Sequence, residues 1–197
     1  MDIQPVTLTG SFVRLEPLSL DHLSDLTAAG SDPDLWQYMR YGLVTDQDRM
    51  RDFIVYLLDQ QAKGTDLPFV TIHIPSAKAV GMTRFMDIQP QNRALEIGGT
   101  WISPHFQRTV VNTEAKFLML GHAFEVLGCA RVQIKTDLRN TRSQRAIERL
   151  GAFREGVLRE HMLLPDGTLR SSVYYSILAA EWPVARQRLL DLLERKS

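Results

Sequence analysis

At 197 residues the chain has room for one domain with elaborations rather than two full ones, because domains run to roughly 150 residues. Hydrophobic residues make up 44% and charged residues 23%, and 12 Gly and 9 Pro are too few for a disordered or fibrous chain. Lys and Arg number 23 against 23 Asp and Glu, which disfavours a globally basic polyanion binder but leaves room for a local basic patch. The single cysteine, Cys129, allows no internal disulfide, and no grouping of Cys and His has zinc spacing, so no metal is expected.

The start, MDIQPVTLTG, lacks a basic segment followed by an apolar run, and no stretch reaches 18 consecutive apolar residues. A cytoplasmic protein with no membrane partner is the expectation. Residues 11–17 alternate like a strand, and 21–29 read as a short helix closed by Gly30. Thr45 and Asp48 resemble a capping box, opening a helix that puts Met50, Phe53, Ile54, Leu57 and Leu58 on one face before Gly64. Residues 67–74, 79–88 and 94–103 form three β-rich runs split by Pro75-Ser76 and Pro90-Gln91-Asn92, the pattern of an antiparallel meander.

Past Pro104 the period changes. Phe117, Leu120, Phe124 and Leu127 recur at helical spacing, with Asn112 as the candidate cap and Gly128 as the closing glycine. Residues 131–136 then read as a strand, 140–150 as an Asn-capped helix closed by Gly151, and 153–164 as a strand. Pro165-Asp166-Gly167 turns the chain into a strand over 169–178, and an amphipathic helix over 181–195 ends it. Charge is uneven: residues 21–66 hold nine Asp against four Lys and Arg, whereas 131–160 hold eight basic and four acidic residues. The second stretch suits an anionic ligand, the first a cationic amine or basic peptide; solvated helix faces explain either equally well.

Two segments carry candidate chemistry. In Trp101-Ile102-Ser103-Pro104-His105-Phe106-Gln107-Arg108-Thr109-Val110-Val111-Asn112-Thr113-Glu114 a strand runs through a loop into a helix. The unpaired amides of such a helix start make a pyrophosphate cradle, to which Arg108 adds charge; an ordinary turn with an Asn cap is the plain alternative. In the segment from Thr136 to Ala152, Asn140 and Ser143 bring an amide and a hydroxyl to a helix start beside a strand end, where they bind a ligand or simply cap the helix. Arg142, Arg145 and Arg149 follow at helical spacing, facing phosphates or solvent.

Together these segments resemble the GNAT superfamily of acyl-CoA-dependent N-acetyltransferases, in its branch similar to the RimJ/RimL ribosomal-protein N-terminal acetyltransferases. The resemblance runs from VRLEPLSLDHL through LEIGGTWISP and FQRTVVNTEAKFLMLGHAFEVLG to CARVQIKTDLRNTRSQRAIERLGAFREGVLREHMLLPDGTLRSSVYYSIL. It implies a single α+β domain over 1–197: a twisted, mostly antiparallel mixed sheet of about seven strands flanked by helices, its fourth and fifth strands splayed around acetyl-CoA. The family's Gln/Arg-x-x-Gly-x-Gly/Ala loop falls on Gln107 to Asn112, which implies cofactor contacts from Gln107, Arg108, Thr109, Val110, Val111, Asn112 and Thr113, joined by Trp101, Ile102, Asn140, Ser143 and Arg145. Val110 and Asn112 depart from the pattern's glycine and small residue, and Ile147 stands where many members have a tyrosine acid.

Amide formation from a thioester needs a neutral amine, a stabilised oxyanion and a proton for the thiolate. The resemblance assigns the base to Glu96, with His105 and His73 as rivals, the oxyanion to backbone amides near Trp101 and Ile102, and the sulfur's proton to Ser143. A small-molecule or peptide amine is the expected acceptor. A homodimer is expected from the family and from apolar surface offered by Trp182, Leu189, Leu190, Leu192 and Leu193. A non-catalytic acyl-CoA sensor is the competing reading, and a nucleic-acid module is disfavoured because the basic stretch lacks interleaved aromatics.

Overall fold

The computed structural model describes residues 1–195. In chain order these form β1 (Leu8–Thr9), β2 (Val13–Pro17), α1 (Leu23–Ala29), α2 (Gln47–Ala62), β3 (Leu67–His73), β4 (Lys78–Gln89), β5 (Ala94–Ile102), α3 (Val111–Gly121), β6 (Arg131–Asp137), α4 (Thr141–Arg149), β7 (Phe153–Leu163), β8 (Leu169–Leu178) and α5 (Trp182–Glu194). One eight-stranded sheet has the order β1-β2-β3-β4-β5-β6-β8-β7, antiparallel except between β5 and β6. The expected seven strands are all present; β1 is the eighth, two residues long and too short to leave a period in the sequence.

Helices cover both sheet faces, so β3 is buried along most of its length instead of alternating. One core joins Phe69, Phe85, Met119, Trp182 and Leu189, and the other joins Leu26, Trp36, Met50, Ile54 and Trp101. Asp46 rather than Thr45 caps α2, its carboxylate accepting the Arg49 amide at 2.9 Å. α3 starts at Val111, so Asn112 lies inside its first turn; the helix runs on as a π turn over His122–Val126 until Gly128 reverses the chain at φ +67°. Asn140 caps α4 as expected, taking the Ser143 amide at 3.0 Å.

α3 is fixed on the sheet by a buried carboxylate. Glu114 accepts the amides of Ser11 at 2.8 Å and of Phe12 and Val13 at 2.7 Å each. Gly10 leaves the room, since a Cβ there would lie 2.4 Å from the Glu114 carboxyl carbon. α5 packs its apolar face inward: Trp182 and Leu189 are core residues. Of the apolar residues expected on α5 for a partner, Trp182 and Leu189 are thus used within the domain, while Leu190, Leu192 and Leu193 are half-buried. Cys129 is buried, and burial raises its thiol to about 11, which fits a structural role. Among the described residues no helix is long and apolar enough to cross a membrane.

The opening that matters lies between β5 and β6. They pair only at Ala94↔Arg131, Leu95↔Val132 and Glu96↔Gln133. Beyond this β5 follows β4 as far as Gly81↔Ile102, while β6 follows β8 as far as Asp137↔Ser172. Each strand keeps its outer partner, so the two diverge. A bulge sharpens the bend in β5, because Gly99 and Thr100 fall between the pairs Arg84↔Gly98 and Met82↔Trp101, with Gly99 at φ +58°.

Candidate active site

The diverging strands enclose a cleft of about 710 Å³, bounded at one mouth by the starts of α3 and α4 and at the other by residues 35–41. At the first mouth Gln107 bridges the two sides. Its Nε2 donates to the Ile102 carbonyl at 3.0 Å, and its Oε1 accepts Arg142 Nη1 at 2.8 Å. Arg108 takes the left-handed conformation at φ +64° and lines the cleft. The Thr109 hydroxyl donates to the Phe106 carbonyl at 2.7 Å and accepts the Val111 amide at 3.3 Å. The first bond within α3 runs from the Glu114 amide to the Val110 carbonyl, so the amides of Asn112 and Thr113 precede the helical ladder.

Val110 has φ −69° and ψ −22°, ordinary right-handed backbone that requires no glycine. Its side chain is not part of the cleft wall. The side chains of Val111 and Thr113 are buried, and Thr113 Oγ1 accepts Arg149 Nη2 at 3.1 Å. Asn112 does line the cleft, and its Oδ1 is buried without a hydrogen-bond partner. Arg142, Arg145 and Arg149 all line the cleft, Arg142 and Arg145 at its solvent-exposed rim.

Deeper in, Glu96 sits at the last parallel pair, 2% exposed. Its Oε2 accepts Lys135 Nζ at 2.8 Å and Gln133 Nε2 at 2.9 Å. Ser143, on the first turn of α4, and Ile147, one turn further, also line the cleft. Trp101 lines the cleft too, tilted at 51° to Trp36 with ring centroids 5.2 Å apart, and its indole N–H is buried and unpartnered. The backbone irregularity of β5 is at Gly99 and Thr100, whereas Trp101 and Ile102 are back in register with β4. His73 and His105 pack on Phe106, at 4.7 and 5.3 Å between ring centroids, and no histidine among the described residues lines the cleft.

Several cleft residues escape the sequence reading. Lys116 is 5% exposed and donates to Thr100 Oγ1 at 2.6 Å and Thr83 Oγ1 at 2.8 Å. Desolvation lowers its ammonium to about 7. The detectable signal is a lysine three residues after Thr113 and four before Leu120, on a buried helix face. Arg84 and Arg170 lie in strands covered on both sides, where no alternation marks them; Tyr38, Arg40 and Tyr41 sit in a loop with no motif. None of the nine Asp of residues 21–66 lines the cleft, although Asp66 lies behind its wall against Arg84, so the acidity of that stretch is not presented to a ligand there.

The sequence profile described as "Acetyltransferase (GNAT) domain" matches residues 13–152. The chain is 26% identical over 176 residues to "Uncharacterized N-acetyltransferase p20" of Bacillus licheniformis, covering 89% of this chain and 98% of that one. A crystal structure of a GCN5-related N-acetyltransferase from Brucella melitensis superposes with a TM-score of 0.89 at 31% identity, over 97% of this chain and 86% of that one. Mycobacterium smegmatis RimJ in complex with CoA-disulfide has the same fold, with a TM-score of 0.80 at 21% identity over 95% of both chains. The forked sheet, the amide-bearing start of α3 and these matches have one meaning: the chain belongs to the GNAT family and is an acyltransferase.

Proposed function

We propose that the protein is an acetyl-CoA-dependent N-acetyltransferase of the RimJ/RimL-like type that acetylates a primary amine by direct transfer. The observation that carries this is the fork between β5 and β6, whose mouth combines the start of α3 at Asn112 with Arg108, Arg142, Arg145 and Arg149. A pyrophosphate fits that donor set. Acetyl-CoA supplies an activated thioester; the chain supplies position, charge and proton transfer. Glu96, through the oxygen not held by Lys135, takes the proton that the amine sheds as its nitrogen bonds to the acetyl carbon. Amides of residues 99–102 stabilise the oxyanion, and Ser143 steers a proton to the sulfur as the carbon–sulfur bond breaks.

The sensor reading loses its main support, because Val110 does not obstruct the loop. Calorimetry with CoA therefore gives saturable heat below millimolar concentration, and Val110→Gly leaves that affinity within about threefold. Absence of saturable heat at millimolar CoA, or tightening by tenfold in the variant, overturns this. The same reading places the enzyme in the cytoplasm, where a buried free thiol such as Cys129 stays reduced. It also includes a homodimer, now with exposed Phe153, Leu158 and Leu163 of the edge strand β7 as the apolar surface. Light scattering at micromolar protein is expected to return twice 22.4 kDa; a monomer mass ends that claim.

A further inference from the structure

The acceptor end of the cleft is built for negative charge. Tyr41 Oη accepts hydrogen bonds from two guanidinium groups, Arg40 Nε at 3.1 Å and Arg84 Nη2. Both guanidinium carbons lie close to the same ring, at 5.3 and 5.4 Å from its centroid. One carboxylate answers the two charges: Asp66 Oδ2, 3.1 Å from Arg84 Nε. Arg84 is 2% exposed, and its Nη1 is buried with no hydrogen-bond partner. A buried charged donor left unpaired is costly, and such a group is retained where something binds it.

The rest of this end has the same sign. Arg170 and Lys135 also line it, and Glu96 is the one carboxylate among the described cleft residues, already paired with Lys135. A second ammonium on the acceptor, as in a polyamine or a basic peptide, meets these cations without a free carboxylate to neutralise it. Gly99 sets the arrangement against the reacting centre: a Cβ there would come within 3.1 Å of Arg84 Nε, so the guanidinium lies directly over the bulge of β5.

We propose that the acceptor is a primary amine that also carries a carboxylate, the amino-acid class, with the carboxylate held between Arg40 and Arg84 beside Tyr41 while the amine faces Glu96. The planar forks of two arginines match a carboxylate in a way that a lone ammonium does not. This rests on the acetyltransferase reading and narrows its substrate.

The test compares matched acceptors at saturating acetyl-CoA, following free thiol: glycine against glycinamide, and β-alanine against β-alaninamide. Each amide has the less basic amine, so more of it is unprotonated and intrinsic reactivity favours the amide; a preference for the acid therefore reports recognition. The expected kcat/KM is at least about tenfold higher for the acid of one or both pairs. Arg40→Gln is the variant to use, because Arg40 is on the exposed rim whereas loss of buried Arg84 strands Asp66. It is expected to bring the acid-to-amide ratio to within about threefold of unity. Amides used as well as or better than acids overturn the proposal and leave the acetyltransferase reading standing, as does an acid preference that Arg40→Gln leaves intact. No thiol released with any amine overturns both.

Discussion

Replacing Glu96 by Gln is expected to lower kcat by about 100-fold or more while leaving CoA affinity within about twofold. The side chain is buried at the fork, where the strands begin to part, and the start of α3, the proposed pyrophosphate site, lies at the far mouth. Charge loss at Glu96 thus acts on the proton of the amine and not on cofactor binding. Lys135 donates to Oε2 at 2.8 Å, which holds the side chain in place while Oε1 remains for the amine. Ser143→Ala is expected to cost less, about tenfold, because a thiolate leaves without full protonation and positioning is the larger part of a serine's contribution. A rate that survives Glu96→Gln moves the base to water or the substrate, since His73 and His105 are outside the cleft. Equal and complete loss in both variants, with weakened CoA binding, marks the two residues as structural supports.

The catalytic strand and the two helix starts were legible because each has a local signature. Asn140 precedes a polar helical repeat, Gly151 closes it at φ +92°, and Pro104 ends a strand before an apolar period of 3.6. The acceptor end was not legible, for a physical reason. Arg84 and Arg170 stand in strands buried from both sides, and Arg40 and Tyr41 in a loop; their convergence is a product of sheet order, which brings β4 and β8 to either side of the β5–β6 fork. A count of charge along the chain, acidic over 21–66, pointed the opposite way, because most of those carboxylates cap helices or face solvent, and the buried one, Asp66, is paired with Arg84. Val110 teaches the same lesson at a smaller scale. A glycine in a family pattern suggests a backbone need, yet here the position is right-handed and the left-handed turn falls at Arg108.

Lys116→Met is expected to stabilise the protein by about 3–5 kcal/mol near pH 6.5, a gain that shrinks to roughly 1–2 kcal/mol by pH 9.5. Lys116 is buried with two threonine hydroxyls and no carboxylate, and desolvation holds its ammonium near 7 against an ordinary value of 10.5. Between these two values the unfolded chain carries the proton and the folded chain does not, so stability of the native sequence rises with pH through that window. Below about pH 7 both states are charged, and the folded state bears the full cost of a buried ammonium. Methionine has similar length and no charge, and the Thr83 and Thr100 hydroxyls keep each other as partners at 2.9 Å, so the substitution strands nothing. Urea melts at the two pH values give the difference directly. A destabilised variant at both, or a gain that does not depend on pH, means that Lys116 is charged and well paired in the folded protein. The predicted pattern instead identifies a lysine kept at the edge of neutrality on the cleft wall, one whose substitution gains stability and removes the donor that holds Thr100 at the bulge of β5.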